Sequence, residues 1–378
     1  MSSIINFISY YIYSTNQTDK NNYKDFEKVL EYVPSINFTS KIKEHNYDLN
    51  EELITCIREF CEKQNTDKFI ISLSGGVDSM VLISIIHYLG YIVIGVHINY
   101  NNRPETKEEE EFLDFWCNLN SITLYKKSIN EIKRCNSKRS DYEVITKNIR
   151  LDLYREIMKK EMCNLILLAH HKDDIVENIF ANVCRGRYIL DLAVIKDHST
   201  ISDINIARPM IKYYKQIIYD FADKYRVPYF KDTTPDWSVR GKYRNLIYPV
   251  VEDAFTKNVK DNLFGLSKQS YEWNELVQQE IVKPFTEKIK FDFNEDECIV
   301  EFNIDKYKNY PMCFWNVVFM KLFNQLGFNC PSRKGIQTFI NTINKSSNEK
   351  IYISMSNNCK TILKNNTIKM EFKNKSVK

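Results

Sequence analysis

The stretch that most constrains this chain is an apolar run, Phe69-Ile70-Ile71-Ser72-Leu73, that passes directly into Ser74-Gly75-Gly76-Val77-Asp78-Ser79 and then into an apolar segment closed by Gly90. A short continuous apolar run bounded by turn residues reads as a strand buried on both faces. Val77 to Leu89 reads as a buried helix. Two adjacent glycines let backbone N–H groups approach an anion closely, and the helix N-terminus behind them adds partial positive charge. Strand, glycine loop and helix together make a phosphate cradle. Ser74 and Ser79 offer hydroxyls to phosphate oxygens, and Asp78 offers a carboxylate to a metal ion or to the reacting group. No Gly-Lys-Ser/Thr follows, so this is not the lysine-bearing nucleotide loop. The bland alternative, a βα turn that happens to be glycine-rich, does not explain why the whole six-residue string falls between these two elements.

The pattern around the loop extends it into a domain. Before it, Leu53, Ile54, Ile57, Phe60 and Cys61 recur at helical spacing, with Asp48 or Asn50 as the expected cap. After it come a second strand (Tyr91 to Ile98), a helix (Glu105 to Leu119), a strand (Ile122 to Tyr125), a helix (Tyr142 to Lys160) and a strand (Leu165 to Ala169). Alternation at this spacing predicts a doubly wound, mostly parallel sheet covered by helices on both faces. Beyond Pro249 the pattern changes to helical stretches around Trp273 and Trp315, a hairpin over Phe291 to Phe302 turning at Asn294-Glu295-Asp296, and short strands at 351–355, 361–363 and 368–372. The expected organisation is an N-terminal extension (1–47), an α/β catalytic domain (48–255) and a smaller α+β C-terminal domain (256–378). Trp273, Phe314 and Trp315 are read as core, not as base-stacking platforms.

Composition narrows the class. The net charge is only +4, so any nucleic-acid surface must come from local clusters. Candidates are Lys133, Arg134, Lys138 and Arg139, and Arg240, Lys242 and Arg244. The ten cysteines contain no Cys-x-x-Cys pair, which argues against a zinc ribbon or thiol relay and suits a reducing compartment. The apolar start, Met1 to Ser14, lacks a basic n-region and is too short to span a bilayer. The expected location is cytoplasmic, with no membrane partner.

The six-residue string resembles the PP-loop of the ATP pyrophosphatases, a family that includes lysidine synthetases, tRNA thiolation enzymes, GMP synthetase and asparagine synthetase. Leu168-Ala169-His170-His171-Lys172-Asp173-Asp174-Ile175-Val176-Glu177-Asn178 closely resembles the LAHHxDDxxE segment of lysidine synthetases. His97-Ile98-Asn99-Tyr100 with Arg103 is similar to their HxNHxLR stretch, with Tyr100 in place of the second His. Glu143, Lys147 and Arg150 fall where they have E-x-x-x-R-x-x-R, with Leu151 in place of a Tyr. Arg185-Gly186 and Arg208-Pro209-Met210 stand at the expected places. Two departures, Pro235 for Asn and Tyr248 for Arg, fall in the stretch from Asp232 to Pro249 that in this family shapes substrate recognition. The specific resemblance covers residues 68 to 253 and continues weakly from Pro311.

The resemblance implies a PP-loop ATPase-type fold and cleavage of ATP between its α and β phosphates. ATP would be held by Ser74, Gly75, Gly76, Val77, Asp78 and Ser79 together with His97, Arg150, His170 and Arg208. Asp78, Asp173, Asp174 and Glu177 would be catalytic, with Mg²⁺ on Asp78 and Asp173. It further implies a tRNA substrate: the anticodon wobble cytidine is adenylated at its C2 carbonyl and lysine then displaces AMP. Two other readings stay open. One is a different PP-loop enzyme, such as a thiolase or an amidating ligase; the other is a non-catalytic tRNA-binding descendant.

Overall fold

The structure is a computed structural model that describes residues 29, 31–33, 41–132, 136–232, 234, 237–294, 297–345 and 349–373. They divide into two compact units, the first reaching Cys184 and resuming over Ala193–Ser267, the second formed by Arg185–Leu192 and the residues from Lys268 onward.

The first unit begins with α1 (Glu52–Lys63) and β1 (Lys68–Ser72), followed by α2 (Val77–Tyr88), β2 (Ile92–Asn99), α3 (Thr106–Leu119), β3 (Thr123–Ser128) and α4 (Arg139–Glu161). Next come β4 (Leu165–Leu167), α5 (Lys172–Cys184), β5 (His198–Ile201), β6 (Ile204–Ala207) and α6 (Lys215–Tyr225). A helical run then comprises α7 (Val239–Lys242), a π-helical turn (Tyr243–Ile247) and α8 (Tyr248–Phe255), and α9 (Val259–Val277) follows, its residues from Lys268 onward belonging to the second unit. The six strands order as β3-β2-β1-β4-β6-β5, all neighbours parallel except the β5–β6 hairpin. The sheet is therefore doubly wound and mostly parallel, as the alternation implied. The β5–β6 hairpin and α6 had no marked signal in the sequence pattern.

Side chains alternate across β1: Phe69, Ile71 and Leu73 pack with α1, α2 and α3 on one face. Ile70 packs with Leu151, Tyr154 and Ile157 of α4 on the other. Burying each such side chain contributes about 1.5–3 kcal/mol. Nine of the twelve residues of α2 are buried, so this helix has no polar face; such a helix belongs inside a core. Asp48 does not cap α1; its carboxylate accepts from the Asn50 amide in the preceding turn. Val29, Val33, Ile42 and Tyr47 join the same core as α1 and α2, so these residues of the N-terminal stretch are packing elements.

The second unit carries an antiparallel sheet ordered β7-β8-β11-β10-β9, from β7 (Lys290–Phe293), β8 (Glu297–Asn303), β9 (Ile351–Ile353), β10 (Cys359–Lys364) and β11 (Thr367–Lys373). The β7–β8 pairing is the hairpin expected there, though Glu295 and Asp296 of its turn lie outside the described residues. After α10 (Lys283–Thr286), the helices α11 (Met312–Gln325) and α12 (Arg333–Ile343) bury Phe314, Trp315, Phe319 and Phe339 with the sheet. Phe314 and Trp315 are core as expected. Trp273 is not: it lies on α9 with 60% of its surface exposed.

Helix α12 approaches the chain at Met355 so closely that a Cβ on Gly335 would stand 2.2 Å from the Met355 carbonyl oxygen. Gly335→Ala should therefore destabilise the second unit by about 3 kcal/mol, as overpacking against backbone does. Urea unfolding read through the buried Trp315 checks this. An unchanged midpoint would mean that α12 does not approach Met355 so closely.

Candidate active site

From β1 the chain winds outward through β2 and β3, then crosses back to place β4 on the other side of β1. Where strand order reverses, the loops at the carboxyl ends of the strands part and leave a crevice. The Ser74–Ser79 loop leaves β1 at this point and His170-His171 leaves β4 beside it. The crevice opens into a cavity of about 430 Å³, within the range of small-molecule sites.

The loop is built from its own side chains. Gly75 has φ +81°, and a Cβ there would stand 3.3 Å from Cγ of Glu109. The position thus demands glycine for both conformation and space. The Gly75 carbonyl accepts from the Phe230 amide at 2.8 Å, anchoring the loop to the chain beyond α6. Ser79 Oγ donates to the Gly76 carbonyl (3.0 Å) and accepts from the Ser74 amide (3.2 Å). Its hydroxyl therefore closes the loop internally. The first-turn N–H groups of α2 have no intrahelical acceptors and face an anion site.

Asp78, in that first turn, meets a cluster of charge. His171, buried, sets Nε2 3.6 Å from Asp78 Oδ1 and 3.5 Å from Asp174 Oδ2, with Nδ1 3.7 Å from Asp173 Oδ2. Lys215 at the start of α6 stands 3.7 Å from Asp78 and 3.6 Å from Asp232. Burial raises the Asp78 carboxyl above its ordinary range, and Lys215 and His171 offset this only in part. One Asp78 oxygen is buried without a hydrogen-bond partner among the described residues. For Asp174, burial also opposes ionisation, but His171, His170 and Arg240 outweigh it and hold the carboxyl below its usual range.

Asp173 and Glu177 face a second cavity, of about 480 Å³, whose wall shares Lys215, Tyr219 and Arg244 with the first. Both Asp173 oxygens are engaged: Oδ1 by Lys260 (2.6 Å), Oδ2 by the Lys215 amide (2.8 Å). These two bonds outweigh burial and keep its carboxyl low. Glu177, one turn further along α5, binds Arg244 Nε at 2.5 Å and lies 3.5 Å from Arg240 Nε. Arg240 and Arg244, expected on an RNA-facing surface, thus direct their guanidinium groups at Asp174 and Glu177. Tyr214, Tyr243, Tyr248 and Lys257 also line this second cavity.

The other expected nucleotide ligands divide. His97 and Arg150 line the first cavity; Arg150 lies one turn before Tyr154, whose hydroxyl bonds Ser72 at 2.7 Å. Arg208 is buried behind His170 and bonds it at 3.0 Å. Lys133, Arg134 and Pro235 lie outside the described residues. Sequence reasoning missed Lys215 and Glu109 entirely. Lys215 carries no motif, and only the contact between α6 and the switch point marks it. Glu109 was lost in the run of glutamates that opens the helix expected over Glu105 to Leu119.

A glycine loop at the switch point of a doubly wound sheet, with a partly buried carboxylate in the helix behind it, defines an ATP-using PP-loop site. The PP-loop domain profile matches residues 49–250, and the chain belongs to that family. It is similar to the tRNA(Ile)-lysidine synthase of Chlamydia muridarum (strain MoPn / Nigg), 27% identical over 232 residues, which cover 61% of this chain and 71% of that one. It is also similar to the tRNA(Ile)-lysidine synthase of Enterococcus faecalis (strain ATCC 700802 / V583), 24% identical over 227 residues, covering 58% and 48%. Among solved structures, the U34-tRNA thiolase NcsA from Methanococcus maripaludis superposes over 59% of this chain and 78% of that one, with 16% identity and a TM-score of 0.48.

The raised Asp78 carboxyl has a consequence for stability. An acid whose folded pKa exceeds its unfolded value lends stability only while protonated, and loses it as pH climbs through the interval between the two. Near pH 7 Asp78 therefore burdens the fold, and Lys215 keeps Asp232 if Asp78 is neutralised. Asp78→Asn should leave the unfolding midpoint unchanged or higher while lowering ATP cleavage at least about 100-fold. A clear loss of stability would show that Asp78 serves the fold.

Proposed function

We propose that this chain is an ATP-dependent tRNA-modifying ligase that adenylates the C2 carbonyl of the anticodon wobble cytidine and joins lysine to it. The observation that carries this reading is the pair of cavities separated by Lys215 and Arg244. One has the chemistry of a nucleotide site, and the other offers both signs of charge and several tyrosines to an acceptor base and an amine donor.

ATP fits the first cavity with its phosphates on the Ser74–Ser79 backbone. The cytidine O2 attacks the α-phosphorus, the bond to the β-phosphate oxygen breaks, and pyrophosphate leaves. Lys215 and the α2 N-terminus lower the energy of the negative charge that develops on the phosphates. The residues fit a magnesium ion: Asp78 has an unpartnered carboxylate oxygen, Asp174 stands across His171 from it, and Mg²⁺ is commonly held by one or two carboxylates plus substrate phosphates. Such an ion would supply further charge neutralisation at the phosphates. Asp174 takes the place first expected for Asp173, whose oxygens are occupied by Lys215 and Lys260. No cluster of three or more ligating side chains is present among the described residues.

In the second step an amine attacks C2 and AMP departs with the former carbonyl oxygen. The incoming ammonium must first lose a proton. Glu177 is suited to bind it, since a carboxylate has about four lone-pair sites and Arg240 and Arg244 do not fill them all. No helix among the described residues is long and apolar enough to cross a membrane, and we place the reaction in the cytoplasm with tRNA.

Digestion of the product tRNA and mass measurement of its nucleosides tests the reading. A cytidine carrying lysine is expected. A thiolated nucleoside, or no modification, would overturn it. Glu177→Gln should slow lysine transfer about 10- to 100-fold while adenylated tRNA accumulates. Equal loss of both steps would place Glu177 outside amine handling.

A further inference from the structure

Three imidazoles line the nucleotide cavity, and in two of them, His97 and His170, the ring nitrogens have different partners. His97 Nδ1 lies 2.9 Å from the Leu73 carbonyl oxygen. A carbonyl can only accept, so Nδ1 carries the hydrogen and Nε2 is left as a bare acceptor. That Nε2 is buried without a hydrogen-bond partner among the described residues. His170 has the opposite arrangement. Its Nδ1 lies 3.0 Å from Arg208 Nε, and a guanidinium can only donate. His170 Nδ1 must therefore be the lone-pair nitrogen, and its hydrogen sits on Nε2.

Arg208 is arranged for this task. It is buried, yet among the described residues no carboxylate stands within ion-pair distance of it. Its Nη1 donates to the Lys196 carbonyl at 2.6 Å and to Ser199 Oγ at 3.0 Å, and its own amide donates to the Asp197 carbonyl at 2.8 Å. These bonds hold the guanidinium against the β5–β6 hairpin with Nε directed at His170. A buried cation without an ion-pair partner is costly, and burial lowers the Arg208 pKa, with only the more distant Asp197 carboxylate acting against it. The cost is consistent with a role at the site. Arg208 does not line the cavity; His170 does.

We propose that Arg208 is a positioning residue that locks His170 in its Nε2–H tautomer, so that His170 presents a neutral hydrogen-bond donor to an oxygen of the bound nucleotide while His97, locked the other way, presents an acceptor. The part concerning the nucleotide rests on the ATP reading above; the part concerning the tautomers does not. Burial also pushes the His170 pKa down, to about 4, with Arg208, Arg240 and His171 acting in the same direction against Asp174. A neutral donor distinguishes the site from one that relies on an imidazolium at this position.

The test uses the full chain labelled with ¹⁵N-histidine, at pH 7 and without nucleotide. Long-range ¹H–¹⁵N correlation reports which ring nitrogen bears hydrogen in each of the six histidines, and His170→Gln identifies the His170 signals. Nε2–H for His170 and Nδ1–H for His97 are expected. Hydrogen on Nδ1 of His170, alone or on both nitrogens, overturns the proposal. Arg208→Met should convert His170 to a mixture of tautomers and leave His97 unchanged. It should raise KM for ATP about 10-fold, the order expected for one lost hydrogen bond, with kcat changed far less. His170→Leu should match that loss, and His170→Gln, whose amide still offers a donor, should recover most of it. An Arg208→Met protein with unaltered tautomers and KM contradicts the proposal. If that variant fails to fold, the wild-type spectrum and the Leu/Gln pair still decide. Correct tautomers in a protein that does not bind ATP would instead refute the nucleotide reading alone.

Discussion

Crowding carboxylates into one crevice is the constraint that the first unit is arranged to meet. Asp78, Asp173, Asp174 and Glu177 come from two helix starts on either side of the switch point, and their mutual repulsion would open the crevice if left unanswered. The answer comes from later in the chain. Lys215 begins α6, Arg240 and Arg244 sit in the helical run after it, and Lys260 opens α9. Buried ion pairs seldom add net stability, but removing one partner typically costs about 3–5 kcal/mol because the other charge is stranded. The sheet edge and the 215–261 segment are in this sense mutually dependent: the crowded carboxylates are tolerable only where that segment folds over them.

The same arrangement leaves one carboxylate less compensated than the rest. Asp173 has both oxygens engaged at hydrogen-bond distance, whereas Asp78 keeps a buried oxygen without a partner and a raised pKa. Such residual imbalance is common where chemistry happens, because a group already satisfied by its own protein has little left to offer a ligand. Asp78 also lies in the first turn of α2, the place where backbone N–H groups await an anion. Loop, dipole and unsatisfied acid converge on one side of the crevice, and the tyrosine-lined cavity lies beyond Lys215 and Arg244.

Much of this was legible beforehand because it depends on local chemistry. The apolar run at 69–73, the paired glycines and the alternation through Leu167 dictate a doubly wound sheet with the loop at a strand end. His170, His171 and the three acids of α5 were marked by the resemblance of residues 168–178 to a family segment. What escaped is what depends on tertiary approach. Lys215 has no neighbouring motif. Arg240 and Arg244 look like any surface cations in the sequence, and only folding shows them aimed at Asp174 and Glu177. Trp273 looked like core because aromatic residues usually are, whereas its position on α9 leaves it exposed. Arg208 was expected at the nucleotide, but its bonds to the β5–β6 hairpin and to His170 place it one residue behind.

The central claim is that the glycine loop and Asp78 direct cleavage of ATP between the α and β phosphates. ATP labelled at the α-phosphate, incubated with the full chain, Mg²⁺, unmodified tRNA and lysine, tests it most directly through the identity of the labelled product. Label recovered in AMP, in step with pyrophosphate release and dependent on tRNA, is the predicted result. Label recovered in ADP, with inorganic phosphate released instead, would contradict it.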